Sequence, residues 1–302
     1  MNFVERTRRP HGTGPRDPSA GIGYGETMGR TSVVWIIGVT FFIMNCGGTA
    51  MESGSGIRNP LDNVSVEALA RLADKRIYFG HQSVGYNILD GVKDVIREDP
   101  RVRLNIIETA DPAVFGSPVL GHSRIGKNMD PVSKYEAFKG FLDKGIGEKV
   151  DIAFMKLCYL DVSAETDVAV LFKQYKQAMK HLQETYPRTI FVHMTVPLLS
   201  TDTGIKGRVK RWIGRNDATE FANYNRNRLN DLFEEYRGRE PIFDLARIES
   251  TLPDNRRQVF TYKGKRYYTM NPAYTTDGGH LNTEGRKVVA RELLALLATL
   301  SR

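Results

Sequence analysis

The sequence predicts an α/β protein, with a parallel sheet of about five strands covered by helices on both faces. Two observations lead there. From about residue 61 onward, short apolar runs alternate with amphipathic stretches. Most apolar runs are separated from the next by a segment of helical period, the connection that parallel strands require. The chain has 302 residues, 41% hydrophobic and 26% charged, so a core of normal size forms without disulfide or metal staples.

The elements follow in order. Ser65 opens a short helix to about Ala73, and residues 76–79 form a first buried strand. Ile88, Leu89, Val92, Val95 and Ile96 then fall on one helical face. Residues 102–107 and 151–155 are the second and third strands. Residues 166–186 give the clearest helix, striped by Val168, Leu171, Phe172, Tyr175, Met179 and Leu182 and stopped by Pro187. Residues 189–196 are a fourth strand. Asp217 and Glu220 have capping-box spacing and open a helix carrying Phe221, Leu229, Leu232 and Phe233. Residues 241–245 are a fifth strand. Residues 258–270 alternate around Lys263-Gly264-Lys265 as a hairpin, and a last helix after Asn282 buries Val288, Val289, Leu293, Leu294 and Leu297. Two long connections, 109–134 and 198–216, break the rhythm; loops of that length are functional or disordered.

Residues 1–50 read as a leader. The apolar run 33–44, preceded by Arg30 and followed by small residues, is shorter than the roughly 20 residues of a spanning helix and fits a secretory signal. Cleavage after Ala50 and an uncleaved anchor are both open. Cys46 is a third option as a lipidated residue, with Ile43 three residues before it and a poorly matching Asn45 directly before. Met28 is a natural start for such a signal. Residues 51–63 are a linker and 64–302 the domain. The domain is therefore expected outside the cytoplasm: periplasmic, secreted or envelope-anchored. Membrane contact is expected only through the amino-terminal segment. Cys158 is then left alone in the domain and reads as a buried thiol. The net charge of +8 is scattered and accompanies no RNA or DNA motif, so nucleic acid is not an expected partner.

Ligands of open parallel sheets bind at the carboxyl ends of the strands. Gly80-His81-Gln82-Ser83 sits at the first such end. A serine there is either an exposed nucleophile beside a helix amino terminus or an ordinary helix cap. Asp277-Gly278-Gly279-His280 precedes the last helix; either the carboxylate orients the imidazole as a general base, or the segment is a solvent-facing turn. His11 is set aside with the leader, His193 lies inside a strand and His181 in the polar register of a helix. Of His81, His122 and His280, the histidines left, only His280 has a carboxylate at such spacing. No His, Cys or carboxylate cluster has metal spacing, and no cofactor is expected.

Ser83 after a first strand, with Asp277-Gly-Gly-His280-Leu-Asn before the final helix, resembles the SGNH (GDSL-type) hydrolase superfamily over residues 74–300 in element order. The resemblance implies a three-layer α/β/α sandwich like flavodoxin. It also implies a Ser83–His280–Asp277 triad and metal-free ester or thioester hydrolysis. Gly-His-Gln-Ser replaces the Gly-Asp-Ser signature. Lys156-Leu-Cys-Tyr159 replaces the block that carries an oxyanion-binding asparagine. Gly126 and Asn128 from the long connection are candidate replacements as donors, Lys156 a source of positive charge, and His81 a further substrate-binding candidate. An α/β-hydrolase elbow needs Gly where His81 stands and separates its acid and histidine widely.

The expected activity is that of an exported carboxylic-ester hydrolase on a small-molecule or carbohydrate ester. Its alternatives are a sugar O-acyltransferase with the same triad and a non-catalytic binding protein on a degenerate scaffold. The basic loop of Lys206, Arg208, Lys210, Arg211 and Trp212 is either a contact for an anionic or sugar-like ligand or a solvated surface.

Overall fold

The computed structural model describes residues 59–201 and 218–301. The leader 1–50, its apolar run and Cys46, linker residues 51–58, Asp217, and the basic loop around Trp212 lie outside the described residues. The last linker residues belong to the domain: Pro60–Asn63 form a 3-10 turn capped by Asn59, and Leu61 is fully buried.

Ser65 caps α1 (Val66–Ala73) by accepting the Ala68 N–H at 3.2 Å. In β1 (Arg76–His81) alternation sends Ile77 and Phe79 to one face and Tyr78 to the other. Then follow α2 (Ser83–Glu98), β2 (Ile106–Glu108), β3 (Val119–Arg124), α3 (Pro131–Phe141) and β4 (Ile152–Met155). The chain continues through α4 (Val168–Thr185), β5 (Ile190–Met194), α5 (Ala218–Leu232), β6 (Ile242–Phe243) and α6 (Leu245–Ser250). A hairpin of β7 (Val259–Tyr262) and β8 (Lys265–Tyr268) precedes α7 (Thr283–Leu300). The hairpin turns on Lys263 and Gly264, both at positive φ, as a two-residue turn matched to strand twist requires.

The sheet has six parallel strands in the order β2-β3-β1-β4-β5-β6, one more than expected. The additional strand is β3, inside the 109–134 stretch that the sequence presents as a connection. Val-Leu-Gly-His-Ser-Arg has no apolar alternation, and pairing holds it: β1 on one side, β2 on the other. Gly121 is required there, because a Cβ would lie 2.4 Å from the Phe115 ring. The second strand is correspondingly short, starting at Ile106 rather than at 102.

Helices cover both faces. α1, α2 and α7 pack on Ile77, Phe79, Ile152, Phe154, Val192 and Met194. α3, α4 and α5 pack on Tyr78, Ala153, Met155 and Phe191. The chain places β2 and then β3 on one side of β1 and later adds β4 on the other. The carboxyl end of β1 is thus the topological switch point, where such sheets open a crevice. α2, which begins at Ser83, and α7, which follows His280, lie against each other. A Cβ on Gly91 would sit 2.1 Å from the Arg286 carbonyl oxygen, so only glycine permits that approach. Arg286 to Asp94 (2.6 Å) and Arg291 to Glu98 (3.1 Å) fasten the same pair of helices.

Candidate active site

Ser83 is the first residue of α2, directly after Gln82, whose backbone is still extended. Its Oγ lies 3.0 Å from His280 Nε2. His280 Nδ1 lies 2.7 Å from Asp277 Oδ2. The loop carrying the last two residues is built around the Asp277 carboxylate. Its Oδ1 accepts the N–H groups of His280 at 2.8 Å and Gly279 at 2.9 Å. Those two backbone donors, with the His280 ring, hold the carboxyl well below the usual carboxylate range. An ionised Asp277 accepts a hydrogen bond from Nδ1–H, which leaves the Nε2 lone pair directed at Ser83. Gly278 is at φ 89°, a conformation that favours glycine. A Cβ on Gly279 would meet Leu199 at 2.9 Å and the Tyr159 ring at 3.1 Å. Both glycines between Asp277 and His280 are therefore structural requirements. Asn282 then caps α7 through the Gly285 N–H, as the sequence indicates.

Gln82 supplies a link that the sequence does not disclose. Its Nε2 donates to the carbonyls of Ile125 (2.7 Å) and Gly126 (2.8 Å), tying the loop after β3 to the turn that presents Ser83. Gly126, at φ 50°, packs so closely that a Cβ would fall 2.5 Å from Lys134 N. Below this loop Lys134 and Asp161 form a fully buried ion pair at 2.5 Å. Asp161 also accepts the N–H groups of Met129 and Cys158. Lys134 donates to Asn128 Oδ1 at 3.1 Å. An ammonium only donates, so the Asn128 amide is fixed with Oδ1 toward Lys134 and Nδ2 away from it. Among the described residues, nothing accepts from the backbone N–H of Ser83 or Gly126.

His81 and Lys156, expected to face substrate, are both buried. His81 is fully buried; Nδ1 donates to the Gln82 carbonyl at 2.8 Å, and Nε2 faces His122 Nδ1 at 3.0 Å. Burial pushes its pKa down to about 3, so the ring is neutral. Its place is under the first turn of α2, where a Cβ on Gly85 would be 2.2 Å from the ring. Lys156 is also fully buried, donates to the Leu157 carbonyl at 3.0 Å, and is pushed down to about 8 by desolvation. It makes no hydrogen bond to Ser83 or the triad. Cys158 is a buried free thiol. His193 is buried between Tyr175 (2.7 Å) and Glu240 (2.8 Å). Tyr159, which the sequence does not single out, stands edge-on to His280 at 6.0 Å between ring centres. Among the described residues no group of three or more potential metal ligands occurs.

No protein-family model matches the chain, and no curated protein matches it by sequence. Several solved structures are similar in fold. A protein named for platelet activating factor from Streptococcus pneumonia is 13% identical with a TM-score of 0.46, covering 76% of this chain and 91% of its own. An acetyl xylan esterase is 14% identical with a TM-score of 0.41, covering 72% and 96%. A protein described as a GDSL-like lipase from Parabacteroides merdae is 12% identical with a TM-score of 0.41, covering 76% and 97%. The α/β/α class itself rests on the parallel sheet order and its two helical layers.

Proposed function

We propose that the chain is an SGNH-type serine hydrolase of carboxylic esters, exported by its amino-terminal segment. The observation that carries this is the continuous relay from Ser83 Oγ through His280 to an ionised Asp277, at 3.0 and 2.7 Å, assembled at the switch point of the sheet. Ser83 Oγ attacks the acyl carbonyl while its proton passes to His280 Nε2. The new C–O bond leaves a tetrahedral oxyanion, and the backbone N–H groups of Ser83 and Gly126 and Asn128 Nδ2 are its donors. Collapse breaks the bond to the leaving oxygen, which takes the proton from His280 and departs as an alcohol. Water then repeats the sequence on the acyl-serine, returning the acid and free Ser83. Asp277 supports the imidazolium throughout. The Gln82 strap and the fixed Asn128 amide support these donor assignments.

The test is hydrolysis of p-nitrophenyl acetate and butyrate by the full chain beside Ser83→Ala and His280→Ala. Turnover that both substitutions abolish supports the reading. No turnover, together with no labelling of Ser83 by an active-site phosphonate, overturns it in favour of a binding protein.

A further inference from the structure

A groove lies between α5 and the β7–β8 hairpin, with a volume of about 790 Å³. That is within the range of about 300–1,000 Å³ typical of ligand sites. Asn227 and Asp231 line the α5 side; Arg256, Arg257, Arg266 and Tyr268 line the other. The hairpin is held in place. The Asn227 side chain exchanges two hydrogen bonds of 2.9 Å with the Tyr268 backbone.

The charges are the unusual part. Arg257 is half-buried, its guanidinium lies 3.7 Å over the Tyr268 ring, and Ser250 Oγ accepts from its Nε at 2.7 Å. No ion pair joins Arg257 or Arg266 to a carboxylate among the described residues, whereas Arg256 is paired with Asp254. Burial lowers the Arg257 pKa from its usual value and outweighs the charge of Asp244 nearby, with which it forms no ion pair. A guanidinium that is pre-set, partly desolvated and left without a paired carboxylate is suited to a planar anion from outside.

One helix joins the groove to the loop beside Gly279. On α5, Asn223 holds both the N–H and the carbonyl of Leu199, the residue whose side chain borders Gly279. Asn227 and Asp231 follow at one and two turns, about 6 and 12 Å along the axis.

We propose that this groove is a remote subsite for a carbohydrate chain bearing carboxylates, the polymer whose ester the triad cleaves. Carboxylates pair with Arg257 and Arg266, the open Tyr268 surface takes a sugar ring, and Asp231 and Asn227 take hydroxyl groups. Placing the polymer's ester at Ser83 rests on the hydrolase reading; the subsite itself does not.

Isothermal titration of the full chain with oligogalacturonate, which has one carboxylate per ring, tests it without turnover. Binding should occur and weaken about tenfold or more in Arg266→Glu and in Arg257→Ala/Arg266→Ala, as loss of charge-assisted bonds predicts. Turnover of p-nitrophenyl acetate should be unchanged in both. Absence of binding, equal binding by the variants, or equally tight binding of neutral xylohexaose overturns the proposal. Equally tight binding of a single-stranded DNA oligomer also overturns it, leaving a general polyanion surface. Arginine-dependent binding by a chain that lacks esterase turnover keeps the subsite and removes the hydrolase reading.

Discussion

Two histidines flank Ser83, and they have opposite fates. His280 is 38% exposed, holds an ionised carboxylate on one nitrogen and faces the serine with the other. His81 is fully buried, spends one nitrogen on a backbone carbonyl and the other on a second imidazole, and is too desolvated to take a proton. The ring chemistry is the same. What differs is access to water and the presence of a fixed negative charge, and these separate a ring placed to accept a proton from a packing element.

The largest effect that sharpens this contrast is His280→Ala, expected to lower kcat on p-nitrophenyl acetate by about a thousandfold or more. Asp277→Asn should cost somewhat less, roughly a hundredfold to ten-thousandfold, through loss of the fixed tautomer. A pre-steady-state burst of nitrophenol preserved in full in either variant would break the assignment. Gly85→Ala comes next. Its Cβ would collide with the His81 ring, and overpacking of that kind costs about 1–3 kcal/mol, read as a lower denaturation midpoint. Adding His81→Ala should return part of that loss; simple additivity of the two changes would show that the ring and the helix turn are not in contact.

The pH response separates the two histidines again. His81 has its folded pKa lowered from 6.5 to about 3, so between these values the unfolded chain binds the proton and the folded chain does not. Its contribution to stability is complete above pH 6.5 and is lost as the pH falls toward 3. His81→Asn should therefore flatten the acid side of a Tm-versus-pH curve while leaving the acid limb of the kcat profile in place. A shift of that limb would assign the catalytic ionisation to His81 instead. The smallest expected effect is at Glu249, whose buried carboxyl is pushed from 4.5 up to about 8. Here the folded chain keeps the proton, and stability declines as the pH rises from 4.5 to 8. Glu249→Gln should remove that decline, by a few degrees of Tm at pH 8.

The helices that frame the site are legible because their signals are local. Ser65 and Asn282 announce helix starts, and Lys263-Gly264 announces a hairpin turn. The proximity of Asp277 and His280 is legible for the same reason, since three residues with two glycines can close only a short span. β3 is not legible, because what stabilises Gly121-His122-Ser123 is pairing with β1 and β2 and contact with Phe115, none of it written in its own periodicity. With β3 unread, His122 had no place beside His81. α5 misleads for another reason. Leu232, expected on the inner stripe, is 37% exposed, while Asn223, Asn227 and Arg226 are buried by amide and guanidinium bonds to Leu199, Tyr268 and Tyr159. Apolar period cannot report a helix face that is buried through hydrogen bonds.

Gln82 joins two segments of the site. Its side chain grips two carbonyls of the loop after β3, and its own carbonyl receives both His81 and the Gly85 N–H. Transplanting an aspartate into position 82 to restore the common signature would put an acceptor where two carbonyls require a donor, and the loop carrying Gly126 would be repelled rather than held. The signature is thus a matched set with its loop, exchangeable as a unit and not letter by letter.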